Sequence, residues 1–230
     1  MRHQFFITGT DTDVGKTFVS VALLEAANAR GLSTVAVKPV AAGCEQTADG
    51  LRNEDALLLQ QAMSLSLPYE QINPVALAPA IAPHIAAEQA GKRLQVSRLA
   101  GFCRGVLMNK AEFAVIEGAG GWRVPLNHRE TLADLAIELQ LPVILVVGMK
   151  LGCISHSLLT AEAIARDGLK LAGWVANNPG ESMACYEENL KSLKALLPAP
   201  CIGEVPFLPQ AGAETAAAYL DMDALISIAE

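Results

Sequence analysis

The chain has 230 residues, of which 52% are hydrophobic and 18% are charged, and its formal net charge is −7. This length suits an α/β domain with a large core, and the hydrophobic content excludes a disordered chain. The acidic balance excludes the extended basic surface that nucleic-acid binding requires. Any phosphate binding must therefore be local, built from main-chain amides and a few lysines.

Strand-like and helix-like segments alternate along the chain. Short apolar runs without polar alternation predict a parallel sheet with helices on both faces. The predicted strands are residues 4–8, 34–38, 114–117, 143–147, 173–176 and 202–205. The predicted helices are residues 16–29, 54–63, 97–109, 132–139, 155–166, 184–196 and 216–228. No repeat or Ser/Gly linker interrupts this alternation, so we expect residues 1–230 to form a single P-loop-like α/β domain.

The sequence pattern also predicts where the protein resides. A strand-like run follows the first residues directly, which leaves no room for a cleavable leader. The apolar run 141–149 is shorter than the ~20 residues of a membrane helix. The five cysteines include no Cys-x-x-Cys pair, as is typical of reduced thiols. We expect a cytoplasmic protein without a membrane partner.

The loop after the first predicted strand carries the clearest functional pattern. Residues 9–17 read Gly-Thr-Asp-Thr-Asp-Val-Gly-Lys-Thr and lead into an apolar helix. In such a loop the main-chain amides and the helix start form a phosphate cradle. Lys16 can reach the β- and γ-phosphates, and the Thr17 hydroxyl can bind Mg²⁺. Thr10 stands where the usual spacing has its first glycine, so the loop is a variant form.

Two other predicted strands end in charged side chains. Lys38 closes the second strand, where it could neutralise charge on a transferred group or only reach solvent. Glu117 ends a buried strand and is followed by Gly118, Ala119 and Gly120, a pattern typical of a Walker-B acid that binds Mg²⁺. Because ligands gather where parallel strands end, we expect both groups to lie beside the phosphate loop.

Two polar clusters allow a structural or a functional interpretation. Asn53, Glu54 and Asp55 precede an apolar run, so they could start a helix, or one acid could bind Mg²⁺. Asn177 and Asn178 end a predicted strand, where an amide could pair with a purine or both could form a turn. The sequence alone leaves these alternatives open.

Three connecting segments are further candidates. Pro206, Phe207 and Leu208 close the last predicted strand and could flank the same base. Residues 73–84 contain three prolines, which excludes a continuous helix or strand and favours a functional loop. Residues 150–156 join a strand to a helix whose free N–H groups suit a carboxylate.

Taken together, these motifs resemble the dethiobiotin synthetase family. Several unrelated segments match in order over nearly the whole chain, and the variant phosphate loop is the form that this family has. The matching segments are GTDTDVGKT (9–17), KPVAAG (38–43), LRNED (51–55), EGAGGW (117–122), KLGCI (150–154) and GWVAN (173–177).

The resemblance implies an ATP-dependent closure of a ureido ring in biotin synthesis. One amine of 7,8-diaminononanoate would react with CO₂ to form a carbamate, ATP would phosphorylate the carbamate, and the second amine would expel phosphate. Mg²⁺ would be held by Thr17, Asp55 and Glu117. The molecule would be a homodimer.

The resemblance also implies roles for individual residues. Lys38, Lys16 and Thr12 would lie beside the reacting groups. The nucleotide site would comprise Asp13, Val14, Gly15, Lys16, Thr17, Phe18, Asp55, Glu117, Gly118, Ala119, Gly120, Asn177, Asn178, Pro206, Phe207 and Leu208. The substrate site would comprise Lys38, Ala42, Gly152, Cys153 and Ile154, with the substrate carboxylate near the last three at the dimer interface.

The chain departs from the family's pattern at two positions. Ala42 replaces the usual Ser or Thr, so a hydroxyl contact to the substrate is missing. Asp13 replaces a more usual Glu and is shorter. Near the C-terminus, Glu214 could match an acid on the nucleotide side.

Other function classes fit the sequence less well. A nucleotide-switch ATPase of the partitioning or septum-site kind has a second lysine early in its loop, and residues 10–12 contain none. An amidotransferase of the cobyrinic-acid kind would need a glutaminase domain, for which the chain is too short. Two Mg²⁺-type acids and two lysines at one sheet edge also disfavour a pure binding module.

Overall fold

The computed structural model describes residues 2–180, 183–208 and 212–228. Its strands are β1 (His3–Gly9), β2 (Thr34–Val37), β3 (Val40–Ala41), β4 (Glu45–Thr47), β5 (Gly50–Arg52), β6 (Val75–Ala76), β7 (Phe113–Glu117), β8 (Val143–Gly148), β9 (Leu171–Asn177) and β10 (Cys201–Val205). Its α-helices are α1 (Lys16–Ala29), α2 (Glu54–Ala62), α3 (Tyr69–Ile72), α4 (Pro83–Gln89), α5 (Val96–Leu107), α6 (Leu132–Leu139), α7 (Cys153–Arg166), α8 (Tyr186–Leu196), α9 (Ala213–Ala216) and α10 (Met222–Ile228).

Six strands form one parallel sheet in the order β10-β9-β8-β1-β7-β2. Its central strands are buried along their whole length, which explains why they read as apolar runs without alternation. In the described part of the chain, the side chains of these strands and of the flanking helices form two hydrophobic clusters of buried residues. The predicted α/β class is confirmed, as are the positions of all six predicted strands, with shifts of up to two residues at their ends.

The register of the sheet determines which strand ends meet. Ile7 lies opposite Glu117, and Val37 lies opposite Ile116. Lys38, the residue after Val37, therefore leaves the sheet beside Glu117. Because all six strands run in the same direction, the phosphate loop after β1 opens at this same edge.

The segment between β2 and α4 is more structured than the sequence predicts. Proline excludes a continuous element in residues 73–84, but β6 lies within this range and pairs in parallel with β3. Pro83 is the first residue of α4, where its missing N–H costs nothing. The hairpin β4–β5 and the one-turn helix α3 were also not predicted.

The predicted continuous helix over residues 216–228 is wrong. Instead, α9 is followed by a 3₁₀ turn, Ala217–Tyr219, and α10 begins only at Met222. The break arises because Leu220 forms a bridge to Gly203 and the N–H of Asp221 donates to Ile202 O (2.8 Å). These contacts hold the chain against β10 and prevent it from continuing the helix. Among the helices that the structure describes, none combines the length and hydrophobicity that a transmembrane span requires.

Candidate active site

The phosphate loop joins β1 to α1 and is held from both sides. Gly15 precedes α1 with a φ of 83°, in the left-handed region where glycine is unstrained. A Cβ at this position would lie 2.2 Å from Asn177 Nδ2, so only glycine fits. Asn177 Nδ2 donates to Val14 O (2.8 Å). The last residue of β9 thus fixes the turn that starts α1.

Lys16 is the first residue of α1 and is 7% exposed. Its ammonium donates to the main-chain oxygen of Asp11 (3.2 Å), within the same loop. Burial, and secondarily the positive charge of Lys38, hold the pKa of Lys16 below its ordinary value. A second cation on the loop edge, Lys150, pairs with Asp11 Oδ2 at 2.8 Å. Lys16 therefore places a buried positive charge at the start of α1, which bound phosphates would stabilise.

Lys38 lies between two carboxylates. Its Nζ is 2.6 Å from Glu117 Oε1 and 2.9 Å from Asp55 Oδ2. Thr17 Oγ1 donates to the same Glu117 oxygen (2.7 Å). Burial opposes the charge on Lys38, but Glu117 and Asp55 outweigh it and raise the pKa of this lysine. The alternative that Lys38 is a strand-end lysine reaching solvent is wrong, since it is only 4% exposed.

The two acids of this cluster differ in their surroundings. Glu117 is fully buried, and its Oε2 has no hydrogen-bond partner within the described part of the chain. Asp55 is partly exposed. Burial acts to raise the pKa of Asp55, but the charge of Lys38 and the hydrogen bond that its ammonium donates to this carboxylate outweigh it and lower that pKa. The lowered pKa keeps Asp55 ionised at neutral pH, and Glu117 contributes an oxygen that the described residues leave without a hydrogen-bond donor.

The structure supports both the helix-start and the charge-binding interpretation of residues 53–55, each for a different residue. Asn53 is the N-cap of α2, because its Oδ1 accepts from Ala56 N (3.2 Å). Glu54 is exposed to solvent. Asp55 points to Lys38. Helix capping and charge binding thus occur side by side in consecutive residues.

A cavity of about 810 Å³ opens onto this cluster. Its polar part contains the phosphate loop, Lys38 and Asp55, together with Arg123, whose guanidinium is held by Asp167 at 2.7 Å. The remaining wall is mostly apolar. The residues of that wall are Ala41, Ala42, Ala80, Ile81, Ala82, Pro83, Ala119, Val124 and Pro125. This volume is within the range of small-molecule sites.

Thr12, Asp13, Ala42 and Gly120 all line this cavity. Thr12 lies beside Gly120, since a Cβ built on that glycine would be 3.5 Å from the Thr12 hydroxyl. Gly118 is buried and donates to Ile7 O (2.9 Å), and Phe18 packs against the core. Of the residues predicted near the reacting groups, the structure brings Lys16, Lys38 and Thr12 to one cavity.

The residues predicted to contact a base lie at the ends of β9 and β10. Asn177 is 3% exposed, and its amide is fixed by Val14. Asn178 forms a turn, because its Oδ1 accepts from Gly180 N (3.4 Å). Pro206 and Phe207 are exposed after β10, while Leu208 packs against the core; Glu214 is exposed on α9.

Gly152, Cys153 and Ile154 do not line the cavity of their own chain. Gly152 has a φ of 95° and precedes α7, which begins two residues earlier than predicted. Cys153 is buried, whereas the preceding Leu151 is 92% exposed. Farther along α7, Leu159 is 62% exposed. The predicted carboxylate site is thus separate from Lys38 in the single chain.

Three contributors to the site have no recognisable pattern in the sequence. Arg123 follows the Gly-rich loop after β7. Asn73 donates a hydrogen bond to the main-chain oxygen of Lys38, and Tyr69 donates one to Asn73. The prolines of residues 73–84 indicate an irregular segment, but they do not say that its residues 80–83 form the cavity wall. Only tertiary contacts reveal these roles.

Comparison with known proteins identifies relatives of this chain. The profile of a family described as "AAA domain" matches residues 3–215. The ATP-dependent dethiobiotin synthetase BioD of Cellvibrio japonicus is 61% identical over 225 residues, which cover 98% of each chain. Proteins of the same name from Marinobacter nauticus and Pseudomonas aeruginosa PAO1 are 60% and 59% identical, covering 90% and 95% of this chain and 89% and 96% of their own.

Similar solved structures agree on the fold. The septum site-determining protein MinD of Pyrococcus horikoshii, complexed with Mg-ADP, has a TM-score of 0.57 at 17% identity, covering 100% of this chain and 95% of its own. The signal recognition particle receptor FtsY of Elizabethkingia anophelis in complex with GDP also scores 0.57, at 13% identity, with 96% and 64% covered. At such identities the likeness shows a P-loop NTPase-like fold alone.

The high identity over nearly the full length of the curated relatives is decisive: the chain belongs to the ATP-dependent dethiobiotin synthetases, a family of ligases.

Proposed function

We propose that this chain closes a ureido ring on 7,8-diaminononanoate, using CO₂ and ATP and releasing dethiobiotin, ADP and phosphate. One amine of the substrate adds to CO₂ to give a carbamate. The carbamate oxygen attacks the γ-phosphorus of ATP and ADP leaves. The second amine then attacks the carbonyl carbon of the mixed anhydride and phosphate leaves. The observation that carries this proposal is the buried Lys38, which lines the same cavity as the phosphate loop and an apolar wall.

The reaction requires two anions to approach each other. The carbamate and the γ-phosphate both carry negative charge, and their repulsion must be offset by fixed positive charge. In this proposal Lys16 contacts the phosphates, and Lys38 contacts the transferred group and the carbamate. Thr12, at the same cavity, supplies a hydroxyl to these groups. Catalysis would come mainly from orientation and electrostatic stabilisation.

The residues present fit a Mg²⁺ ion. Within the described ranges no three His, Cys, Asp or Glu side chains converge as a complete metal site. Mg²⁺ commonly uses one or two carboxylates and completes its shell with phosphates and water. Thr17, Asp55 and Glu117 would hold it, with Glu117 Oε2, which has no hydrogen-bond partner among the described residues, as one ligand atom. The ion would neutralise charge on the phosphate oxygens.

The nucleotide would extend from the phosphate loop towards the ends of β9 and β10. The hydrogen bond to Val14 fixes the amide of Asn177, which supports its reading an adenine edge. Phe207, which follows Pro206 after β10, has an exposed ring that would flank the base. Asn178, engaged in its turn, contributes the shape of the loop.

The substrate side would be completed by a second copy of the chain. The alkyl chain of diaminononanoate suits the apolar wall that includes Ala42 and Ile81. Its carboxylate would bind at Gly152–Ile154 of the partner, because these residues do not face the cavity of their own chain. The exposed Leu151 and Leu159 support a buried homodimer face there. Such an enzyme would act in the cytoplasm as a single-domain protomer.

Incubation with diaminononanoate, ¹³C-bicarbonate and MgATP tests the proposal. We expect a product heavier than the substrate by one labelled carbonyl less two hydrogens, with one ADP released per product. Omitting diaminononanoate should abolish most ADP release. ATP hydrolysis that is independent of the substrate, with no labelled product, would instead support a nucleotide-switch ATPase.

A further inference from the structure

The main chain of Lys38 is held by residues outside the sheet. β2 is the outermost strand of the sheet, so one side of it pairs with β7 and the other side has no neighbouring strand among the described residues. Lys38 follows β2 directly. Its N–H donates to Ile72 O (2.8 Å), and its C=O accepts from Asn73 Nδ2 (2.7 Å). The position of this lysine therefore depends on the segment that carries α3.

One tyrosine hydroxyl connects this contact to the acid on α2. The hydroxyl of Tyr69 accepts from the N–H of Asn53 (2.8 Å) and donates to Asn73 Oδ1 (3.1 Å). Asn53 is the N-cap of α2, and Asp55 is the second residue of that helix. Tyr69 thus joins the start of the helix that carries Asp55 to the strand end that carries Lys38.

This chain of hydrogen bonds is shielded from water. Tyr69 is 7% exposed and Asn73 is 3% exposed. The guanidinium of Arg52 lies over the Tyr69 ring, 4.2 Å from its centroid, and pairs with Glu70 at 3.2 Å. Because water has little access, removing the hydroxyl would leave a buried N–H and a buried amide oxygen without this partner. The surrounding backbone would then shift to satisfy them.

We propose that Tyr69 and Asn73 are positioning residues that fix Lys38 relative to Asp55 and Glu117. The proposal rests on the proposed function, in which Lys38 stabilises the reacting anions. A fixed charge stabilises a transition state only if it is already in place, so a small displacement of Lys38 lowers the rate. The hydrogen bond between Val14 and Asn177 that holds the phosphate loop does not involve Tyr69, so we expect ATP binding to depend on Tyr69 much less than kcat does.

The first test is Tyr69→Phe, which removes the hydroxyl and keeps the ring. We expect kcat for dethiobiotin formation to fall about tenfold, while KM for ATP stays within about twofold of the original. The matched control is Tyr219→Phe in the 3₁₀ turn before α10, whose side chain is exposed and does not line the cavity, and it should retain its kcat within about twofold. Rates are normalised to folded protein by the stoichiometry of MgATP binding.

The second test separates positioning from a general structural effect. In a Lys38→Gln background the cation to be positioned is gone, so Tyr69→Phe should lower the remaining rate by less than about twofold. Asn73→Asp, which keeps the acceptor for Tyr69 but loses the donor to the Lys38 carbonyl, should also lower kcat with little change in KM for ATP. Both outcomes would support the positioning role.

Two results would overturn it. They are an unchanged kcat in both Tyr69→Phe and Asn73→Asp, or the same tenfold loss from Tyr69→Phe with and without Lys38. If the unsubstituted chain made no dethiobiotin, the proposed function itself would fail. That outcome is distinguishable, because it requires no variant.

Discussion

The two sides of the cavity are built in different ways. The phosphate loop and Glu117 each follow a central strand directly, and the sheet register brings them together. The opposite side is assembled from residues 38–83, in which short strands, a one-turn helix and proline turns contact one another over long separations. The phosphate side is thus determined by local sequence and the substrate side by tertiary packing. Substitutions on the two sides should therefore affect different kinetic constants.

Lys38 is the point at which the two sides meet, and its loss should have the largest effect. We expect Lys38→Gln to reduce turnover at least about a hundredfold, the scale of removing one transition-state charge contact. KM for ATP should change much less, because the nucleotide binds through the loop amides and Lys16. Steady-state kinetics at saturating MgATP measures both quantities. Lys191→Gln, at an exposed position on α8, is the control. Near-normal turnover in Lys38→Gln would mean that the buried ion pairs serve stability alone.

The adjacent acids at the start of α2 offer a matched pair on the substrate side. Asp55 contacts Lys38, whereas Glu54 is exposed, although both are favourable near a helix N-terminus. We expect Asp55→Asn to raise the Mg²⁺ concentration for half-maximal rate about tenfold, because one of two carboxylates is lost. Glu54→Gln should leave it unchanged. Titration of Mg²⁺ at fixed ATP distinguishes them, and equal effects would assign both residues to the helix alone.

The sequence predicts the position of a site residue well where that residue directly follows a predicted strand. Gly15, Lys16 and Thr17 lie in consecutive positions with a strong spacing signal, and the predicted strand ends place Lys38 and Glu117 at the same edge. The hydrogen bond that holds Lys38 through Asn73 spans 35 residues and has no periodicity. The break at residues 220–221 is of the same kind, because a contact with β10 outweighs helix propensity. Motifs show local geometry, but they do not show which distant backbone groups need partners.

The pH dependence of ATP use should report the phosphate side alone. The pKa of Lys16 is lowered by burial and by Lys38, so its ammonium loses its proton below the ordinary lysine value of 10.5. We expect kcat/KM for ATP to fall as pH rises through that lowered pKa. Bound phosphates favour the charged lysine, so the corresponding limb of kcat should lie at higher pH. A Lys16→Arg variant, which stays protonated, should lose the alkaline limb of kcat/KM. An unchanged limb in that variant would assign the titration to another group.

Ala42 tests the substrate side with the smallest expected effect. It lines the cavity where the family usually has a hydroxyl, and Gly43 beside it is packed against Ala80. A Ser side chain at position 42 would add one hydroxyl at a half-buried position of the cavity wall. One net hydrogen bond contributes about 1 kcal/mol, so we expect Ala42→Ser to lower KM for diaminononanoate by up to about fivefold. KM for ATP should stay the same, because the change lies on the opposite side from the phosphate loop. If KM for ATP fell instead, the two sides of the cavity would not be as independent as their construction indicates.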